Sequence, residues 1–342
     1  MPPSTYHRVV VARRGPPELM QWVEDDLPLP KPGEVRVKVE AAGVSGYDVM
    51  LRRYRFPGFT KVPYTPGEDV VGLVDAVGDG VDTLAPGQRV AGWTFGAAGG
   101  YAEYVCRPAE HVLPVPPDLD PAVAVSLVTN YLTASLALEK TARAVAGEHV
   151  LVQGASGGVG LALLQLGKLA GLKMVGAGTG DRLAVIAANG AAPIDYRRTD
   201  FVAGLREMTG GGVDVVVDLV GGPRQLWRSY RCLRRGGRLL MLGMAGTAQA
   251  GMKIVPASLL VVGLLALWPD GKRTPMSPSM LSYPAAHLDW YRETLAQLLA
   301  MAADGRLAPV VAARVPLRDA ARAHTMLERG GRAGKVVLMG AG

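Results

Sequence analysis

The chain of 342 residues has only two cysteines, Cys106 and Cys232, far apart in sequence. A disulfide framework is therefore excluded, and a reducing, cytoplasmic setting is expected. Histidine is scarce too: His111, His287 and His324 are dispersed, with neither triad nor metal-ligand spacing. Aromatic residues make up 6% of the chain while 44 residues are glycine, which suits an α/β enzyme and argues against disorder. No apolar run approaches the ~20 residues of a bilayer-spanning helix, so no membrane span is expected. The longest, Ala257–Trp268, reads as a buried strand and its extension, placed at a subunit contact. Met1–Arg8 lacks the apolar stretch of a signal peptide.

Charge is the one imbalance. The net charge of +7 brings nucleic acid to mind, since Arg224, Arg228, Arg231 and Arg235 recur on one helical face. Opposite them stand Leu226, Trp227 and Leu233, however, so the row reads as the solvated side of an amphipathic helix and no nucleic-acid role is expected. A basic surface would still attract an anionic cofactor.

What the chain does contain is a strand that runs into a glycine-rich turn and a helix, His149 to Ala170. Gly154 permits the tight turn, Gly157 lets the backbone approach phosphates, and Gly160 lets helix pack on strand. A pyrophosphate would rest on the unpaired N–H groups of Ser156, Gly157, Gly158 and Val159, where the helix dipole favours negative charge. Such glycines also close ordinary strand-to-helix turns, and the surrounding pattern decides between the two readings. Strands are predicted at Leu172–Gly176, Ala192–Ile194, Val213–Val217 and Arg238–Leu242, with helices at Asp181–Ala188, Thr199–Met208 and Pro223–Leu233 between them. Nearly continuous apolar strands alternating with amphipathic helices predict a doubly wound parallel sheet covered on both faces.

Residues 8–125 differ in texture, with short β-prone segments such as Val35–Val39, Asp69–Ala76, Gln88–Ala91 and Tyr101–Val105 punctuated by Pro and Gly. Similar material returns after residue 265, with a helix from about Trp290 to Asp304 and a last strand Lys335–Met339. The sheet domain, 126–265, is thus read as inserted into a discontinuous β-rich domain formed by 1–125 and 266–342. Lys272–Pro284, rich in Pro and Ser, reads as a mobile loop.

Along nearly its whole length the chain resembles the medium-chain dehydrogenase/reductase superfamily, and within it the zinc-free quinone oxidoreductase branch. The likeness rests on Gly154-Ala155-Ser156-Gly157-Gly158-Val159-Gly160, Pro66-Gly67-Glu68-Asp69-Val70-Val71-Gly72, Ala85–Val90, Asn130–Ala134, Ile194–Asp200 and Gly334–Leu338. Several of these are similar to the vesicle amine transport protein subgroup. The resemblance implies a Rossmann domain inserted into a GroES-like catalytic domain, and a homodimer in which the apolar segment Ser258–Leu267 extends a sheet edge.

Zinc-dependent relatives carry a cysteine and a histidine ligand where this chain has Ser45 and Glu68, and their structural zinc needs four clustered thiolates. Without such a Lewis acid, simple alcohol oxidation gives way to hydride delivery onto an already electrophilic quinone, enone or enoyl group. No metal is expected. The resemblance implies a zinc-independent NADPH-dependent oxidoreductase, most directly a quinone reductase. Reduction of a C=C bond in an enoyl or enone intermediate is the alternative, and a cofactor-bound scaffold with little activity is the reading from another class.

For NAD, the second Rossmann strand usually ends in an Asp or Glu, about 20 residues past the glycine loop. Here that place reads Gly176-Ala177-Gly178-Thr179, followed by Arg182. Arg182 and Tyr196 match family positions around the adenosine phosphate, and a guanidinium with a phenol suits phosphate. The plainer readings are an exposed first-turn arginine and a packed loop aromatic. Val220 and Gly243 follow parallel strands on the carboxyl side, where open α/β sheets bind ligands, and Lys335 matches a position near the nicotinamide. Its other reading is a surface lysine before an edge strand.

Proton donors are few. Related quinone reductases often have an asparagine at Ser45 and a tyrosine at Met50. Tyr47, in the loop expected to border the nicotinamide, is the first candidate, with Ser45 and Tyr131 beside it. Tyr54 and Tyr64 carry the same hydroxyl, water is a further donor, and Asp48 reads as a structural residue of the loop.

Overall fold

The computed structural model describes residues 4–54, 61–197, 201–243, 246, 251–252, 254–277 and 282–340. Two compact units emerge, Met1–Leu132 with Leu281–Gly342, and Thr133–Met280. They divide at 132/133 and 280/281, whereas the composition changes at 125/126 and 265/266.

In the first unit, β1 (Thr5–Val11) and β2 (Met20–Asp26) form an antiparallel ribbon. There follow β3 (Glu34–Val44), α1 (Gly46–Arg53), β4 (Asp69–Val77), β5 (Arg89–Trp93), β6 (Tyr104–Pro108), β7 (Val112–Pro114) and α2 (Pro121–Ser135). The second unit holds β8 (His149–Gln153), α3 (Gly158–Leu169), β9 (Lys173–Gly178), α4 (Arg182–Ala188), β10 (Ala192–Asp195), α5 (Phe201–Thr209), β11 (Val213–Asp218), α6 (Pro223–Arg231), β12 (Leu233–Met241) and α7 (Ile254–Ala266). The chain then returns to the first unit through α8 (Tyr283–Ala286), α9 (Leu288–Ala303), β13 (Val311–Pro316), α10 (Ala320–Arg329) and β14 (Lys335–Met339).

The larger sheet of the first unit runs β13-β14-β3-β4-β5-β7, with β6 also paired to β3. Its antiparallel centre follows from alternation: Val35, Val37 and Val39 are buried in one cluster with Val70, Val74, Val90 and Leu338. Because β14 lies between β13 and β3, it is an interior strand rather than an edge. The second unit has a fully parallel sheet ordered β10-β9-β8-β11-β12. Val150, Leu151 and Val152 in β8 and Val215, Val216 and Val217 in β11 are all buried, as strands covered on both faces require.

Three readings are corrected. The apolar segment Ser258–Leu267 is helical, not a strand. A continuous apolar run carries no period of its own, and here the decisive contacts are Ser258, Val262 and Leu265, buried at helical spacing. The Ser258 hydroxyl donates to Ile254 O and accepts from Gly222 N, tying α7 to the turn after β11. Sheet extension through this segment therefore has no structural basis. Second, α6 stops at Arg231 and β12 starts at Leu233, so Arg235 belongs to the strand and not to the arginine row. Third, Trp227 is not on the buried side of α6: it is 45% exposed, with its ring near those of Tyr230 and Trp268.

Among the described residues one helix, Pro121–Ala142, is long and apolar enough to cross a membrane, and it lies mostly inside the protein. Its last part, Leu136–Ala142, widens into a π-helix. Arg198, Thr199 and Asp200 lie outside the described residues, as does the 278–281 part of the expected loop.

Candidate functional site

The glycine turn after β8 has the geometry of an anion cradle. Gly154 adopts φ +79°, and a Cβ on Gly160 would fall 2.4 Å from Gly154 O, so α3 can pack this closely only with glycine there. Gly157 is different. It is exposed, and a Cβ on it would meet only Gly154 O at 3.5 Å, an ordinary contact. The fold does not demand glycine at 157, and what its missing side chain leaves clear is the approach to the helix start. Gly157 caps α3 without any side-chain hydrogen bond, so the first N–H groups of the helix, from Gly158, Val159 and Gly160, are offered outward. Ser156 is buried in the turn. This arrangement fits a dinucleotide pyrophosphate.

Beside it, β9 ends at Gly178 without a carboxylate, Thr179 is buried, and Arg182 opens α4. Asp181 precedes α4 as an exposed residue whose side chain makes no cap bond. Tyr196 N donates to Gly178 O at 3.3 Å, which sets the tyrosine at the carboxyl end of β10 next to the end of β9. Tyr196 is exposed, not packed in the core. The structure adds Arg228, which donates to Tyr196 O at 3.4 Å and lies over the Phe201 ring at 5.0 Å. In sequence it was one of four arginines in a row; only the tie to Tyr196 separates it from the others. At the next strand end, buried Asp218 accepts from Val220 N and Gly221 N with one oxygen and from the Ser229 hydroxyl with the other. It thereby shapes the Val220 turn. A Cβ on Gly243 would sit 2.5 Å from Leu219 O, so glycine is required where the two turns meet.

In the first unit, Ser45 caps α1 with a reciprocal capping box: its hydroxyl accepts from Asp48 N and donates to Asp48 Oδ2, which also accepts from Ser45 N. The Ser45 proton is thus already engaged. Asp48, fully buried, accepts further from Gly67 N at 3.1 Å. Behind it runs a polarised chain. Arginine only donates, so Arg52 Nε bonding His324 Nδ1 at 3.2 Å leaves the ring proton on Nε2, facing the Tyr101 oxygen at 3.3 Å. The expected loop is helical from Gly46 onward, so Tyr47 and Asp48 both lie in the first turn of α1, where Asp48 is the N3 partner of the Ser45 cap; burial raises its carboxyl above the usual range.

Glu68 and Asp69 lie in the same interior. Asp69 is paired with Lys335, Nζ to Oδ2 2.9 Å, with both side chains buried. Lys335 is therefore neither a surface lysine nor free to reach a ligand while this pair stands. Glu68 Oε2 accepts from the Thr94 hydroxyl at 2.7 Å and from Gly96 N at 3.1 Å, while Oε1 has no partner among the described residues. Burial first, then the charge of Asp48, push its carboxyl up to about 7. Sequence reasoning treated Glu68 only as a residue that is not histidine. The adjacent acids Glu68-Asp69 in a run otherwise apolar from Val70 were the signal.

Tyr47 is half-buried, and burial, followed by the charges of Glu68 and Asp48, raises its phenol far above the ordinary value. Tyr131 is buried in α2 and raised by burial alone. Among the described residues no group of three or more His, Cys, Asp or Glu side chains is placed to hold a metal ion.

A parallel dinucleotide fold carried within a β-rich domain defines a class of nicotinamide-dependent oxidoreductases. Residues 31–117 match the model of the alcohol dehydrogenase GroES-like domain, and 189–338 match that of the zinc-binding dehydrogenases. The chain is 33% identical to the quinone oxidoreductase of Lama guanicoe over 96% of each chain. It is 29% identical to the synaptic vesicle membrane protein VAT-1 homolog of Rattus norvegicus over 91% of this chain and 78% of that one. The crystal structure of Escherichia coli quinone oxidoreductase complexed with NADPH superposes with a TM-score of 0.84 at 30% identity, covering 97% of this chain and 99% of that one. The chain belongs to the quinone oxidoreductase branch of the medium-chain dehydrogenase/reductase superfamily.

Proposed function

We propose that this protein is an NADPH-dependent, zinc-independent reductase that delivers hydride to a conjugated acceptor, in the first instance a quinone. The observation that carries the reading is the end of β9: no carboxylate at 176–179, with Arg182 at the first position of α4 and Tyr196 beside Gly178. A carboxylate there would repel a 2′-phosphate, whereas a guanidinium and a phenol attract it. A catalytic zinc is normally held by three Cys, His or carboxylate donors; Ser45 brings no thiolate, and Glu68, though a carboxylate, belongs to no group of three such side chains among the described residues.

The bound nicotinamide supplies the hydride, and the chain's residues do the rest. Gly158, Val159 and Gly160 would hold the pyrophosphate through the N–H groups at the start of α3, while Gly157, whose N–H donates to Gly154 O at 3.1 Å, closes the turn with Gly154 and leaves the approach clear; Ser156 and Thr179 line the turns, and Val220 and Gly243 shape the remaining strand ends. Arg182 with Tyr196 selects the phosphorylated adenosine. Tyr47 delivers a proton to the oxygen on which charge develops. Burial and the neighbouring acids keep the phenol protonated at neutral pH. Ser45 fixes the start of α1 through its capping box with Asp48, and Tyr131 supports the interior of α2.

Calorimetric titration tests the cofactor. NADPH should bind more tightly than NADH, and Arg182→Ala should remove most of that difference, roughly ten- to hundredfold for a charged phosphate contact. Equal affinity for both cofactors in the unmutated protein would overturn the assignment. The reaction is tested with 4-deuterated NADPH against quinones, enones and enoyl thioesters. Label should appear in reduced product, quinones first; a panel in which no acceptor takes up label would leave a cofactor-bound scaffold as the better reading.

A further inference from the structure

Tyr196 is exposed, yet its backbone is held from two sides. Its N–H donates to Gly178 O at 3.3 Å, which ties it to the end of β9, and its carbonyl accepts from Arg228 Nη2 at 3.4 Å, which ties it to α6. The phenol hydroxyl meets no partner among the described residues, and neither does the Arg182 guanidinium. A Cβ on Gly178 would lie 3.6 Å from that of Arg182, so arginine and tyrosine flank the same strand end with their polar groups unspent.

Arg228 is fixed in turn. Its guanidinium lies over the Phe201 ring at 5.0 Å, and Phe201 is the buried first residue of α5, so Arg228 reaches both ends of the connection from β10 to α5. A planar guanidinium lies on a ring face and still donates edgewise, a geometry that a single ammonium does not supply. The core sets where α6 presents it: Leu226 and Tyr230 are buried there, and the Ser229 hydroxyl, next in sequence, donates to buried Asp218 at 2.6 Å. Arg234 and Arg238 are paired with Asp214 and Glu148, whereas no carboxylate pairs with Arg228 among the described residues. Its contacts with Tyr196 and Phe201 are what it makes in place of an ion pair. No such contact joins Arg224 or Arg231 of the same helix to Tyr196 or Phe201 among the described residues.

We propose that Arg228 is a positioning residue for cofactor choice: by holding the Tyr196 carbonyl and the Phe201 end of α5 together, it sets the phenol beside Arg182 to receive a phosphate ester on the adenosine ribose. This rests on the NADPH reading above and adds a residue of α6 to a site otherwise drawn from β9, α4 and the end of β10. Arg182 supplies charge, Tyr196 a directed hydroxyl. Arg228 acts through Tyr196 and does not itself touch the phosphate. Without its bond the Tyr196 carbonyl is free, and the cost of ordering the phenol falls on the ligand instead. Only a nucleotide whose phosphate uses the phenol feels that cost; one without the phosphate is indifferent to it.

The probes are adenosine 2′,5′-bisphosphate and adenosine 5′-monophosphate, which carry the adenosine ends of NADPH and NADH without the nicotinamide. Each is titrated calorimetrically against the unmutated protein, Arg228→Met, Arg224→Met, Tyr196→Phe and the double variant of Arg228→Met with Tyr196→Phe. Methionine keeps the length of the side chain and an apolar contact with Phe201 but donates nothing. Arg228→Met should weaken the bisphosphate roughly 10-fold, the low end for a hydrogen bond to a charged group, and leave the monophosphate unchanged. In the Tyr196→Phe background the same change should cost less than about twofold, because the hydroxyl it positions is gone. Arg224→Met, which removes the same charge one turn away on α6, should alter neither affinity. An equal loss from Arg224→Met, or an undiminished loss in the Tyr196→Phe background, would reveal a diffuse charge effect and overturn the proposal. A loss shared by both nucleotides, or an unchanged bisphosphate affinity, overturns it as well. Retained monophosphate binding also shows that each variant is folded. If the unmutated protein binds the two nucleotides equally, the NADPH reading has failed and takes this role for Arg228 with it. A preference that Arg182→Ala removes and Arg228→Met leaves intact defeats the proposal alone.

Discussion

Lys335 and Asp69 join the end of the chain to its first domain through an ion pair of 2.9 Å in which neither side chain meets solvent. Gly43 makes room for it: a Cβ there would come within 2.4 Å of both Asp69 Oδ1 and Lys335 Cε. A buried pair is weak evidence of net stability, but removing one partner strands the other charge. Lys335→Met should therefore destabilise the protein by about 3–5 kcal/mol, and adding Asp69→Asn should recover much of that loss. Urea unfolding of the two single variants and the double variant measures the coupling. Additive losses would show that the pair does not act as a unit.

The two glycines of the cofactor turn should respond differently to alanine. Gly160→Ala places a methyl against Gly154 O at 2.4 Å and should lower thermal stability as well as cofactor affinity. Gly157→Ala meets nothing closer than 3.5 Å within the chain, so the fold should persist. Its effect should be confined to cofactor binding. Melting curves with and without NADPH separate the cases: loss of NADPH-induced stabilisation with an unchanged apo transition is the expected result for Gly157→Ala.

Acid should weaken the His324 chain. Burial, reinforced by the Arg52 charge, lowers the imidazole from its ordinary value to about 3. The unfolded chain takes up a proton near pH 6.5 that the folded chain refuses, so stability present above that pH is lost as pH falls toward 3. The full difference corresponds to about 3–5 kcal/mol. Glutamine at 324 still offers one acceptor to Arg52 and one donor to Tyr101, and it does not titrate. His324→Gln should lose less stability between pH 7 and pH 4 than the unmutated protein in denaturant titrations at each pH. Parallel losses in both would contradict this.

Glu68 shifts stability the other way. Its folded pKa of about 7 lies above the ordinary 4.5, so from about pH 4.5 to pH 7 the folded chain holds a proton that the unfolded chain releases. Stability falls as pH rises through that window and then levels. Glu68→Gln should be spared this fall, gaining about 2–4 kcal/mol relative to the unmutated protein between pH 4.5 and pH 8. A constant difference across the range would show that Glu68 titrates normally.

We expect a homodimer, for a different reason than a shared sheet edge. One face of α7 and the residues after it, Leu259, Leu260, Leu264, Leu267 and Trp268, is exposed, with Trp227 of α6 next to Trp268. A contiguous apolar patch of this kind is unusual on a monomer. Sedimentation at micromolar concentration should give a dimer, shifted toward monomer by Leu264→Glu. Monomer alone in the unmutated protein would remove the expectation.

Much of this protein is decided by local chemistry that a sequence displays. Gly154 and Gly160 mark a tight strand-to-helix turn, and apolar runs such as those of β8 and β11 alternating with amphipathic helices mark a parallel sheet covered on both faces. The missing carboxylate at 176–179 is likewise visible before any fold is known. Tertiary structure decided the rest, because it depends on which distant groups meet. Ser258–Leu267 has no periodicity to choose helix over strand; contact with the turn after β11 chose it. Lys335 reads the same whether exposed or buried until Asp69, 266 residues away in sequence, is brought to its ammonium. Glu68 is an ordinary acid in a linear chain. It becomes one that keeps its proton to about pH 7 only where folding strips it of water and crowds it beside Asp48 and Asp69, since desolvation and like charge are properties of an environment and not of a residue.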